Sequence, residues 1–189
     1  MFSQIRSVFC CLLLGKVLRV GAVDMNKKFW DYTLISCEGN STNEEWLRIE
    51  LKVDRIGRGE YGISGNIVVG APLDGREIEV KAYRSASGSA SEYKLLPFKV
   101  DKQSIESFME NIYKKMLMPS IAECSNAPQC GEDEIPMFEL KTYTFNRCQI
   151  ATEKFPSHLM SGFYKVIATI SGPYTAILEI MAEVVPKEY

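Results

Sequence analysis

Between residues 47 and 53, apolar and charged side chains alternate one for one: Leu47, Ile49, Leu51 and Val53 against Arg48, Glu50 and Lys52. An extended strand sends those two sets to opposite faces, whereas a helix would mix them. The same period returns in Tyr61, Ile63, Gly65, Ile67 and Val69 after the turn-prone Arg58-Gly59, and again from Glu77 to Tyr83. Gly70-Ala71-Pro72-Leu73-Asp74-Gly75 supplies turn chemistry between them. The small residues Ser85 to Ser91 read as a hairpin loop leading into a strand from Tyr93 to Phe98. Further strands are expected over Phe29–Ser36, Met137–Phe145, Phe163–Ile170 and Tyr174–Val185. About eight strands at hairpin spacing predict a mainly β fold, an antiparallel cup or sandwich.

One segment breaks the period. Ile105, Phe108, Met109, Ile112, Tyr113, Met116 and Leu117 recur at helical intervals, with Ser104 placed to cap the start and Pro119 marking the end. Glu106, Glu110, Lys114 and Lys115 occupy the opposite face. A wide apolar face of this kind covers a sheet core. Phe108, Met109, Ile112 and Met116 could also line a cavity, since Met packs adaptably.

Arg6, the apolar run Val8 to Leu14 and the small residues of Val20-Gly21-Ala22 have the makeup of a secretory leader. The expectation is a signal peptide over 1–22 and a single domain over 23–189. The apolar run falls short of the roughly 20 residues that span a bilayer, and no later stretch reads as a membrane span. Loss of Arg6, Lys16 and Arg19 takes the formal charge from −2 to −5. A mildly acidic chain without a Lys/Arg cluster gives no electrostatic reason to bind nucleic acid or an anionic membrane. The densest charge, Asn43 to Glu50, mixes both signs and suits a solvated strand face.

In an oxidising compartment the four remaining cysteines, Cys37, Cys124, Cys130 and Cys148, imply two bridges with three possible connectivities. The tight, Pro-containing loop from Cys124 to Cys130 favours a local bridge, which leaves Cys37 to Cys148. On the loop-entropy account the long bridge would contribute roughly 4–5 kcal/mol and the short one about 2. No Cys-x-x-Cys pair occurs and His158 is the only imidazole, so a zinc site is not expected. Asn40-Ser41-Thr42 is a glycosylation sequon, expected on a surface loop.

Signatures of catalysis are sparse. Gly62-Ile63-Ser64-Gly65 lacks the spacing of a nucleophile elbow and lies in a strand pattern. His158 follows Phe155-Pro156-Ser157 in a loop, with no partner identifiable to orient it. The run Glu132-Asp133-Glu134 has no calcium-loop pattern and reads as a solvated acidic loop. Neither an enzyme nor a cofactor is expected. What remains is apolar: Phe29, Trp30, Tyr32, Trp46, Phe98, Phe108, Phe138 and Phe163 exceed what turns and surface need. A sheet fold open at one end can hold a lipid tail.

Several segments together resemble the insect chemosensory-B protein family. They are Arg55 to Gly65, Tyr83-Arg84-Ser85, Tyr93 to Phe98, Cys124 to Gln129, and Phe155-Pro156 with Gly162-Phe163-Tyr164-Lys165. Order and spacing agree from about Phe29 to the C-terminus. That family is itself similar to the ganglioside-activator proteins within the MD-2-related lipid-binding group. The resemblance implies a cup of antiparallel strands around an apolar cavity, one helix, rim disulfides and secretion. It also implies a role in taste or pheromone detection. A Cys37–Cys148 bridge would resemble the clasp of that group, although ganglioside activators carry eight cysteines, so their glycolipid specificity is not implied.

The expected function is therefore a secreted, non-catalytic carrier or presenter of a hydrophobic molecule, a lipid or long-chain hydrocarbon. A cell-surface receptor or channel is a possible further partner. Ile63, Ile67, Val69 and Phe98 are the expected cavity residues from the strands, and Phe108, Ile112 and Met116 from the helix. The alternative is an interaction module with a filled core, binding through the loops at Ser85–Ser91 or Cys124–Cys130.

Overall fold

The computed structural model describes residues 27–187; the leader expected over 1–22 lies outside them. Eight strands follow in order: β1 (Trp30–Ser41), β2 (Leu47–Arg55), β3 (Tyr61–Val69), β4 (Glu77–Ser85), β5 (Lys94–Ser104), β6 (Thr142–Cys148), β7 (Gly162–Ser171) and β8 (Thr175–Pro186). They form two sheets, ordered β1-β8-β7-β4-β5 and β2-β3-β6, and every pairing is antiparallel. The mainly β expectation holds, with the layers of a sandwich.

Alternation fixes the register where it is cleanest. β2 pairs with β3 without a shift from Leu47 opposite Val69 to Arg55 opposite Tyr61. The two sheets approach each other most closely where β1 passes β2. A Cβ on Gly39 would lie 2.2 Å from Cγ2 of Ile49 and 2.7 Å from its carbonyl oxygen. Only a residue without a side chain fits that crossing.

Three strand boundaries differ from expectation. β1 runs on past Ser36 to Ser41. β5 runs on to Ser104, with irregularities opposite Ile78–Val80 and Lys81–Tyr83. The second of these holds Pro97, which an edge strand tolerates because it needs no donor on its open side. β6 begins only at Thr142, so Met137–Lys141 is not strand. There the Tyr143 hydroxyl accepts from Glu139 N at 2.5 Å and donates to Glu139 O at 3.3 Å. A side chain thus takes up the backbone groups that a neighbouring strand would have used.

The helix has three parts: an α-helical start Ile105–Phe108, a π-wound middle Met109–Leu117 and a last turn Met118–Ile121. Ser104 caps it as expected, its hydroxyl accepting from Ser107 N at 3.2 Å. Pro119 does not end the helix, which continues to Ile121. In α-winding its ring would press on the carbonyl four residues earlier. The wider turn before it relieves that contact, and Met118 N–H reaches back five residues to Tyr113 O. Wider winding also rotates the apolar face. Met109 and Tyr113 are buried and Met118 packs on the core, while Leu117 is turned out to 40 % exposure.

The core falls into two clusters. The larger contains Trp46, Leu47, Val69, Leu73, Ile78, Ile105, Phe108, Met109, Tyr113 and Tyr143. The smaller is built on Leu34, Cys37 and Ile63, flanked by Leu51, Val53, Leu178, Ile180 and Ala182. The division follows from geometry. Strands lie about 4.8 Å apart, so three strands fall roughly 10 Å short of covering five. The small sheet covers β1 and β8, and the helix covers the lower ends of β4 and β5. Among the described residues, Ala82, Val166 and Ala168 on the rest of that inner face belong to neither cluster.

Candidate functional site

Residues opposite each other in a ladder share a face, which allows the inner face of the larger sheet to be read rung by rung. Ile78, Ile170 and Ala176 form one rung, and Val80, Ala168 and Leu178 the next. Ala82, Val166, Ile180 and Cys37 follow, and then Arg84, Tyr164 and Ala182. The first rung belongs to the larger core cluster. The β8 and β1 ends of the later rungs belong to the smaller one. Ala82, Val166 and Ala168 belong to neither, although they sit on the core side of a sheet.

Val166 is 36 % exposed there. On the adjoining β5, alternation from Val100, which pairs with Val80, brings Leu96 and Phe98 to the same face. Phe98 is 56 % exposed. These residues form an apolar strip, a shallow trough at most, along β7, β4 and the edge strand β5, with Val166 and Phe98 open to solvent. Its far end is polar. Arg84 pairs with Lys94 on one side and Tyr164 on the other. The Arg84 guanidinium donates to Ser161 O, and the Tyr164 hydroxyl donates to Met160 O at 2.7 Å. Burial holds the Tyr164 phenol above its ordinary value, opposed by the positive charge of Arg84 beside it.

Of the expected cavity residues, only Phe98 lies in this trough. Val69 and Phe108 are buried in the larger cluster, with Ile67 and Ile112 packed against it. Ile63 is buried in the smaller cluster. Met116 is half-buried and belongs to neither. Ala82, Val166, Ala168, Arg84, Lys94 and Tyr164 were missed. The signal available was Arg84 itself, the one charge in the core-facing series Ile78, Val80, Ala82, Arg84.

The disulfide pairing is corrected. Cys124 bonds Cys148, with Cα atoms 5.4 Å apart, while Cys37 and Cys130 are free thiols. The loop after the helix does not pinch on itself. It runs extended along the free edge of β6: Asn146 N donates to Cys124 O at 2.8 Å, and Thr144 N to the Asn126 side chain at 2.6 Å. Cys124 is thereby held beside β6. A bulge at Arg147, whose φ is +55°, delivers Cys148 to it, with Arg147 N donating to Ser64 Oγ at 2.9 Å. Cys130 is carried beyond Pro128, where its thiol donates to Glu134 O at 3.3 Å. Cys37 is buried mid-strand opposite Ile180, and burial pushes its thiol up to about 11.

Asn40 is exposed, near the end of β1 rather than on a loop. His158 is exposed and stacks on Phe29 at 4.5 Å between ring centroids, with its Nδ1 3.1 Å from Ser157 Oγ. A separate open cleft of about 600 Å³ lies between the start of β1, the β2–β3 turn, the helix end and residues 149–153. Its walls mix Lys28, Asp31, Glu60 and Glu153 with Tyr32 and Ile150. Among the described residues no helix is long and apolar enough to cross a membrane.

A family model described as a protein of unknown function (DUF1091) matches residues 78–166. The matched stretch starts at the second residue of β4, contains β5, the helix and β6, and ends within β7, so it carries the Cys124–Cys148 bridge and most of the trough. No curated protein matches the chain.

Proposed function

We propose that the protein is a secreted, non-catalytic binder or presenter of a hydrophobic ligand, acting in chemosensation. The observation that carries this reading is the strip Ala82, Val166 and Ala168 with Phe98, apolar and core-facing yet left open. A tail laid along it would gain about 25 cal/mol for each Å² of apolar surface covered, less the cost of ordering the ligand. The resemblance to chemosensory-B proteins supports the sensory setting. The makeup of residues 1–22 and the exposed sequon at Asn40 support secretion.

The test is uptake of a neutral, polarity-sensitive probe, N-phenyl-1-naphthylamine. The natural protein should bind it, and Val166→Glu should abolish binding while its thermal midpoint stays within a few degrees. Full binding by a folded Val166→Glu protein would overturn the site. Native mass spectrometry on protein from its own tissue should show a co-purifying lipid. A consistently empty protein that takes up no probe would instead point to an interaction module with a filled core.

A further inference from the structure

We infer that the ligand is a single-chain amphiphile with a carboxylate head, its tail in the trough and its head against Arg84 and Lys94. This rests on the hydrophobic-ligand reading and adds the chemistry of the head group. The two cations are direct partners across β4 and β5, on the face that carries the trough, and they sit where its apolar part ends. Ala82 and Val166 lie one rung away.

Neither cation is neutralised. The ion pairs of the neighbouring strands, Lys81–Glu79, Lys102–Glu77 and Lys165–Glu179, lie on the other face or beyond the trough. Among the described residues no carboxylate pairs with Arg84 or Lys94, and the rung of Arg84, Tyr164 and Ala182 contains no acid. Arg84 donates to Ser161 O and to the Tyr164 hydroxyl, while its Nε–H is buried without a partner. A half-buried guanidinium with unspent donors suits the planar, two-oxygen geometry of a carboxylate. A neutral hydrocarbon would leave that group desolvated and unpaired, which is unfavourable.

The experiment is displacement of N-phenyl-1-naphthylamine by dodecanoate and by dodecan-1-ol, each below its aggregation concentration. Arg84→Met with Lys94→Met should weaken dodecanoate by roughly tenfold or more, the worth of hydrogen bonds to a charged group. The alcohol should be unaffected. Arg84→Lys should keep part of the preference. On the unaltered protein, added salt should weaken the acid and leave the alcohol alone. Lys94→Met alone, at an exposed position, gives the same comparison should the Arg84 variant fail to fold. Equal effects on acid and alcohol, in the variants and in salt, would overturn the inference while leaving a hydrophobic carrier standing. Failure of the unaltered protein to bind the probe or either competitor would overturn both.

Discussion

Cys37 and Cys130 are chemically the same group in two environments, and the difference can be measured. Cys37 sits in the smaller core cluster, where burial favours the neutral thiol and pushes it up from its ordinary value to about 11. Cys130 is half-exposed on the loop before the acidic run. Only the thiolate reacts with alkylating reagents. Brief iodoacetamide treatment at pH 8 followed by peptide mapping should therefore label Cys130 in the native protein, and Cys37 only in denaturant. The same shift links to stability. Between about 9 and 11 the native state keeps a proton that the unfolded chain releases, so stability is complete below that window and falls as pH rises through it. Burial raises the phenols of Tyr32, Tyr143 and Tyr164, which extends the loss in the same direction at higher pH. Urea midpoints across this range should decline. A flat profile would contradict the burial of these groups.

Among the elements, the helix shows how far a pattern can be trusted. Its apolar spacing identified the segment and its Ser104 cap, because those are local properties. The spacing assumed α-winding, however, and placed Leu117 on the core face. Pro119 is what changes the winding, by making the ordinary turn before it unfavourable. Met109→Ala should therefore cost about 2–5 kcal/mol, whereas Leu117→Glu should stay within about 0.5 kcal/mol. Chemical denaturation of the two variants checks this, since uniform α-winding would bring Leu117 back towards the core and make both changes costly. The strands obey the same logic. β2 was legible because Arg48, Glu50 and Lys52 meet water opposite its apolar face, which writes the register with β3 into the sequence. β6 was misplaced because a Tyr143 hydroxyl, rather than a strand, satisfies Glu139. The bridge was misassigned because nothing in Cys124-Ser125-Asn126 announces that it lies along the edge of β6. The site was hidden for a related reason. Alternation shows which residues face inward, but only the mismatch between a five-stranded and a three-stranded sheet shows which of them stay uncovered.

At the scale of the whole molecule, the order β1-β8-β7-β4-β5 places the last strand between the first and the rest of its sheet. β8 pairs with β1 from Trp30–Pro186 to Ser41–Ala176, and with β7 along its other edge. A chain ending before Thr175 should lack a cooperative urea transition, since β1 would lose its ladder partner and both core clusters would lose β8 side chains. A cooperative transition in that truncated chain would show that the larger sheet forms without β8. The segment 78–166 is not self-sufficient for the same reason: the β3 partner of β6 precedes it and the β8 partner of β7 follows it. This arrangement sets a clock. Synthesis proceeds at about 5–20 residues per second, so β1 waits on the order of ten seconds before the strand beside it exists. Throughout that interval Cys37, Cys124, Cys130 and Cys148 emerge one by one on an unfinished sheet. Cys124 must stay available until Cys148 arrives, and the native bond is the one the completed fold selects.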